Sequence, residues 1–72
     1  MRITLRAARV NKGLSQVEVA KILGKSKDTI NRYEKDSSKI PRDLTIKLLN
    51  LYGFDFDSIF FGKESDFTES TK

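Results

Sequence analysis

The 72-residue chain contains no cysteine, no histidine and no tryptophan, and only one proline and four glycines. Without cysteine or histidine it has no disulfide framework, thiolate or imidazole zinc site, Ser-His-Asp triad or Cys-His dyad. Most of the chemistry available to very small proteins is thereby excluded. The scarcity of proline and glycine argues against a loop-rich fold. No apolar run approaches the roughly 18 residues of a membrane span, and Met1 to Arg9 lacks the apolar stretch of a signal peptide, so the expected location is cytoplasmic. Met1 reads as a natural start.

What is present is a hydrophobic content of 38% that includes five phenylalanines and two tyrosines. A chain this short buries only about 60% of the surface its unfolded form exposes, which leaves room for one domain. Residues 1–42 carry 11 basic and 4 acidic side chains, a balance of +7, whereas residues 43–72 carry 3 and 6, a balance of −3. Such asymmetry suggests a nucleic-acid or anionic-membrane partner for the first half, set against the commoner explanation of a solvated Lys/Arg face.

Five segments show helical spacing, separated by Gly, Asn, Ser or Asp, and no run of four or more β-branched residues alternates as in a strand. The expected fold is all-α, a compact five-helix domain over residues 1–62, with a polar, frayed tail at 63–72 that is either a tail or the start of a linker. The first helix has Thr4 as N-cap, runs from Leu5 to about Asn11 and terminates at Gly13. Ser15-Gln16-Val17-Glu18 is a capping box opening the second, which Gly24 closes. Ser26 caps the third, Lys27 to about Lys35. After Pro41 a fourth helix extends from about Arg42 to Tyr52 and stops at Gly53. Asp55 caps a short fifth one containing Phe56, Ile59, Phe60 and Phe61, ended by Gly62.

The third segment is the most informative. At about 100° per residue, Lys27, Asp28, Asn31, Arg32 and Lys35 share one half of the wheel, whereas Thr29, Ile30, Tyr33 and Glu34 share the other. One half packs and the other carries donors. Small Ala20, the turn glycine Gly24 and apolar Ile30 and Tyr33 allow the second and third helices to cross closely through a tight turn, a helix-turn-helix that leaves the outer face of the third free.

With Gly13-Leu14-Ser15-Gln16 before it and Leu51-Tyr52-Gly53 after it, the stretch from Gln16 to Glu34 resembles the lambda-repressor-like family of phage and bacterial regulators, over roughly residues 3–62. The resemblance implies a sequence-specific DNA-binding domain of Cro or repressor type, without cofactor, metal or small-molecule substrate. It also implies a homodimer, at least on DNA, and a near-palindromic operator in double-stranded DNA. By the same resemblance Lys27, Asp28 and Arg32 read base edges, with Thr29 and Asn31 beside them for base or phosphate contact. Gln16, Ser26, Lys39 and Arg42 are assigned to phosphate, and Arg9 and Glu34 form a structural pair joining the first helix to the end of the third.

Three positions depart from the family pattern. Asp28 places a carboxylate among the base readers, where it can accept from a cytosine amino group but repels phosphate. Thr45 stands where an aliphatic residue is common, with Leu44 beside it. Phe61 is an aromatic where a polar residue is usual.

Each reading has a plainer competitor. Lys27, Asn31 and Arg32 fit an ordinary solvated helix face, and Gln16 a polar helix start. Lys12, Lys21 and Lys25 are expected to be solvated or to act by long-range attraction. Phe54, Phe56, Ile59 and Phe60 are expected in the core, whereas Phe61 and an outer side of the fourth helix comprising Ile46 and Leu49 are candidates for a two-fold dimer contact. Gly24-Lys25-Ser26 imitates the end of a P-loop, but Val19 occupies the place of a required glycine and no strand precedes it. Asp55 and Asp57 flank a helix start, where capping suffices, so no enzyme is expected. The competing functional class is a protein-interaction module of antirepressor or antitoxin type on the same scaffold.

Overall fold

Side-chain oxygens fix the starts of three helices in the computed structural model, which describes residues 2–67. Thr4 Oγ1 accepts from the Ala7 amide at 3.1 Å and opens α1, Leu5–Asn11. Ser15 Oγ accepts from the Glu18 amide at 3.1 Å while Glu18 accepts from the Ser15 amide at 2.8 Å, a complete capping box at the start of α2, Gln16–Leu23. Ser26 Oγ accepts from the Thr29 amide at 3.1 Å and opens α3, Lys27–Lys35. Each such cap is worth about 1 kcal/mol relative to alanine. The last helix, α4, spans Arg42–Tyr52 and begins just after Pro41.

The turn between α2 and α3 depends on Gly24, whose φ of +68° lies in the left-handed region that costs any residue with a Cβ about 1–2 kcal/mol. There the Lys25 amide donates to Ala20 C=O at 2.8 Å, reversing the chain within two residues. Ala20 itself is buried, and its small side chain permits the close crossing of α2 and α3.

The core consists of Leu5, Ala8, Val19, Ala20, Ile30, Leu44, Leu48, Leu49, Tyr52 and Ile59, drawn from every helix and from the chain beyond α4. Ile30 is among the most deeply buried side chains and ties the inner face of α3 to the bundle. Truncating such a residue to alanine typically costs about 2–5 kcal/mol.

The helical architecture stands, but the described residues hold four α-helices rather than five. Where a fifth helix was expected, a single 3-10 turn at Phe56–Ser58 leads into an extended pair, Ile59–Phe60, and Asp55 makes no side-chain cap. This pair, β2, lies parallel to β1, Ile3–Thr4, with Ile3 opposite Ile59 and Thr4 opposite Phe60. Burying Ile59 beside β1 requires extended backbone, which overrides the local helical signal.

Three further expectations are corrected. Leu49 lies in the core, not on an outer side of α4, because the apolar arc of that helix is wide enough to bury it along with Leu48 and Tyr52. Phe56 is not a core residue: it is 62% exposed, with its ring stacked on Phe61 at a centroid separation of 4.8 Å. Residues 63–67 are not frayed. A bridge between Asp36 and Lys63, a 3-10 turn at Glu64–Asp66, and packing of the Phe67 ring on Phe60 at 5.2 Å hold them to the helical body. The rest of the expected tail, 68–72, lies outside the described residues.

Candidate nucleic-acid interface

Crossing of α2 and α3 turns one edge of α3 outward. Lys27, Asp28 and Arg32 on that edge are exposed and Asn31 is half-buried, whereas Ile30 and Glu34 on the opposite edge are buried. Thr29 is half-buried, and its Oγ1 lies 2.9 Å from Ser26 Oγ, so both hydroxyls belong to the start of α3. Lys39 and Arg42 are exposed, Lys39 at the end of the 3-10 turn Ser37–Lys39 and Arg42 at the first position of α4. The Arg42 chain also lines a shallow cavity of about 360 Å³ together with Ile40, Thr45, Ile46, Phe56 and Phe61.

Behind the exposed edge lies a chain of charge-assisted hydrogen bonds. Arg9 Nε donates to Glu34 Oε2 at 2.6 Å, and its Nη1 donates to Leu14 C=O at 2.7 Å. The Glu34 side chain is almost wholly buried, so this pair lies in surroundings where removing one partner costs about 3–5 kcal/mol. Gln16 Nε2, at the start of α2, donates to Glu34 Oε1 at 2.9 Å and to Asn31 Oδ1 at 3.2 Å. Three helices are thus joined through one carboxylate, and Gln16 and Asn31, both assigned to DNA by resemblance, are joined to each other.

Spacing gives no signal for two further residues that hold α1 and the end of α3 in place. Arg6, one turn before Arg9, places Nε 2.9 Å from Glu64 Oε2 and 3.9 Å from Glu34 Oε1. Ser37 is buried and its hydroxyl is hydrogen-bonded to Gly62, behind the end of α3. Both contacts join residues far apart in the chain, which no periodicity encodes.

Among titrating groups, the Ser38 hydroxyl donates to Asp36 Oδ1 at 2.6 Å and the Ser38 amide donates to it at 3.1 Å, holding that carboxyl below its ordinary value of 3.8. Asp36 thereby caps the 3-10 turn that presents Lys39. The Tyr52 hydroxyl finds no hydrogen-bond partner among the described residues; burial, followed by the negative charge of Glu34, pushes its ionisation well above the usual 10.0.

Ile46 is 51% exposed, and Phe61 is half-buried, packed on the core from one side and on Phe56 from the other. Of the three candidates for a dimer contact, Ile46 and Phe61 share the wall of the cavity and Leu49 does not.

No group of three or more acidic side chains among the described residues is arranged to hold a metal ion, and none of the helices described is long and apolar enough to cross a membrane. A helix-turn-helix family model matches residues 5–59, more than half of the chain. The chain belongs to that family, in its lambda-repressor-like branch, whose members are DNA-binding regulatory domains. A search of curated proteins returns no match.

Proposed function

We propose that the protein is a cytoplasmic, sequence-specific transcriptional regulator of repressor or Cro type that reads operator DNA with the exposed edge of α3. The observation that supports this reading is the division of α3 itself. Ile30 and Glu34 anchor it to the bundle, and no part of the described chain covers Lys27, Asp28 or Arg32. An α-helix fits the major groove, where arginine or lysine pairs with guanine and asparagine with adenine. Arg32 carries the largest share of base discrimination in this reading, with Lys27, Asp28, Thr29 and Asn31 around it. Ser26, Lys39 and Arg42 set the register on phosphates, and Gln16, whose amino group is held by Glu34 and Asn31, supports the base-reading edge. No cofactor takes part.

The same reading makes the protein a homodimer on DNA, with Ile46 and Phe61 in the contact. Two copies on a near-palindrome then place half-sites about one helical turn apart, roughly 10 to 10.5 base pairs. The apolar cavity beside Ile46 and Phe61 also favours a second reading, a protein-interaction module of antirepressor or antitoxin type on the helix-turn-helix scaffold.

Selection from random duplexes separates the two. An enriched near-palindrome supports the regulator, and absence of enrichment even at low salt supports the interaction module.

A further inference from the structure

We propose that Asn31 is a specificity-determining residue that Gln16 restricts to hydrogen-bond donation, so that it selects guanine over adenine at the base pair it faces. The inference rests on the reading of α3 as the DNA-reading helix, and it assigns to one side chain a choice that its chemistry alone leaves open.

Asparagine carries both an acceptor oxygen and a donor amino group, and a free asparagine pairs with adenine by accepting from N6 and donating to N7. The surroundings of Asn31 remove that freedom in three steps. Glu34, paired with Arg9 through the 2.6 Å contact, offers only acceptor atoms to its other neighbours. The end of Gln16 that lies 2.9 Å from Glu34 Oε1 must therefore be its amino group, since its carbonyl there would set oxygen against oxygen. That amino group has a second hydrogen, directed to Asn31 at 3.2 Å, and the atom that receives it must be Oδ1.

Polarity is thus passed from a buried ion pair to the reading surface. With Oδ1 turned to Gln16, Asn31 has its Nδ2 amino group left for DNA. Guanine presents two major-groove acceptors, N7 and O6, which suit two amino hydrogens. Adenine presents N7 beside the N6 amino group, so a donor meets a donor. The ordering is that of the hydrogen-bonded chain Arg9, Glu34, Gln16, Asn31, buried at its first two members, and it is set before DNA arrives, because Gln16 and Asn31 are bonded in the free protein.

Selection from random duplexes with the unmodified protein, Asn31→Ala and Gln16→Met tests this. The unmodified protein is expected to favour guanine over adenine at one position about tenfold, within the usual worth of a good base contact, and Asn31→Ala to flatten that position alone. Gln16→Met removes the donor, frees the Asn31 amide to turn over, and is expected to admit adenine at the same position while the other positions keep their preferences. The inference is overturned if Asn31→Ala flattens no position, if the flattened position favours a base other than guanine, or if Gln16→Met leaves the guanine preference intact. No enrichment with the unmodified protein overturns the DNA reading and this inference with it. Side-chain amide proton exchange in the free, unmodified protein gives a measurement independent of variant folding. Slow exchange at Gln16 with fast exchange at Asn31 is expected, and the reverse order overturns the inference.

Discussion

Ser37 and Gly62 hold each other at both ends of the same contact: the Ser37 amide donates to Gly62 C=O at 3.0 Å, and the Gly62 amide donates to Ser37 Oγ at 3.0 Å. The pair closes the chain beyond β2 onto the end of α3. Ser37→Ala removes the acceptor and leaves the Gly62 amide without its partner. The expected loss is about 1–2 kcal/mol, read as a fall in Tm of roughly 5–15 °C for a domain of this size. An unchanged Tm would show that the segment is not energetically joined to the helices.

Tyr52 supplies the opposite case, a buried hydroxyl without a partner. Tyr52→Phe keeps the ring and removes the unsatisfied group, so it is expected to be neutral or stabilising by about 1 kcal/mol at pH 7. The pH dependence follows from the raised ionisation of the phenol. Its folded-state value lies above the unfolded one, so the folded protein holds the proton more tightly. Stability is constant below the unfolded value of about 10 and falls as pH rises above it, as the unfolded state alone loses its proton. Tyr52→Phe should remove this part of the alkaline loss, measured by urea denaturation between pH 9 and pH 11.5 as a difference between the two proteins.

Arg32 and Lys39 should fail in different ways. Arg32→Ala is expected to relax preference at one base position at a cost of about 1–3 kcal/mol on the preferred sequence. Lys39→Ala should weaken binding to all sequences alike and reduce the slope of log K against log salt by about one unit. Fluorescence anisotropy with specific and scrambled duplexes at several salt concentrations separates the two. Equal losses on every duplex for both variants would contradict the assignment.

Glu34 is the single atom cluster on which α1, α2 and α3 converge. Glu34→Ala strands the buried Arg9 guanidinium and is expected to cost about 3–5 kcal/mol in chemical denaturation, a large part of the stability of any small domain. A loss below about 1 kcal/mol would mean that water reaches the pair freely.

Ile46→Glu tests the dimer. The side chain is 51% exposed, so the monomer should fold with a change in stability within about 0.5 kcal/mol. A charge at a two-fold contact would face its own copy, so sedimentation with an operator duplex should show one protomer bound where the unmodified protein shows two. Two protomers bound with unchanged affinity would place the contact elsewhere.

Helix limits are legible in the amino-acid sequence because their causes are local. Thr4, Ser15 and Ser26 each bond an amide three residues on, and Gly24 and Gly53 each take a left-handed φ just past a helix end. The segment after Gly53 shows where local reasoning stops. Asp55 followed by Phe56, Ile59 and Phe60 satisfies every local rule for a helix, yet Ile59 is extended because its partner is Ile3 at the other end of the chain. A strand of two residues has no alternation to detect. The wheel of α3 separates its exposed and anchored sides correctly for Arg32, Ile30 and Glu34, and the Glu34 carboxylate lies deep in the bundle because Arg9 is paired with it there. That Gln16 touches Asn31 follows from the crossing of two helices, a relation that no wheel of a single helix contains.

The parallel pairing of Ile3–Thr4 with Ile59–Phe60 has a temporal consequence. During synthesis Ile3–Thr4 emerges before α1 to α4 and waits for its partner until Ile59–Phe60 has been made. Helices form within microseconds once their residues are free, whereas a contact between distant positions must first close the long intervening loop. On the ribosome, therefore, the α2–α3 unit has every local element of its shape well before Ile3–Thr4 and Ile59–Phe60 meet, and the final locking of the bundle waits for the later strand.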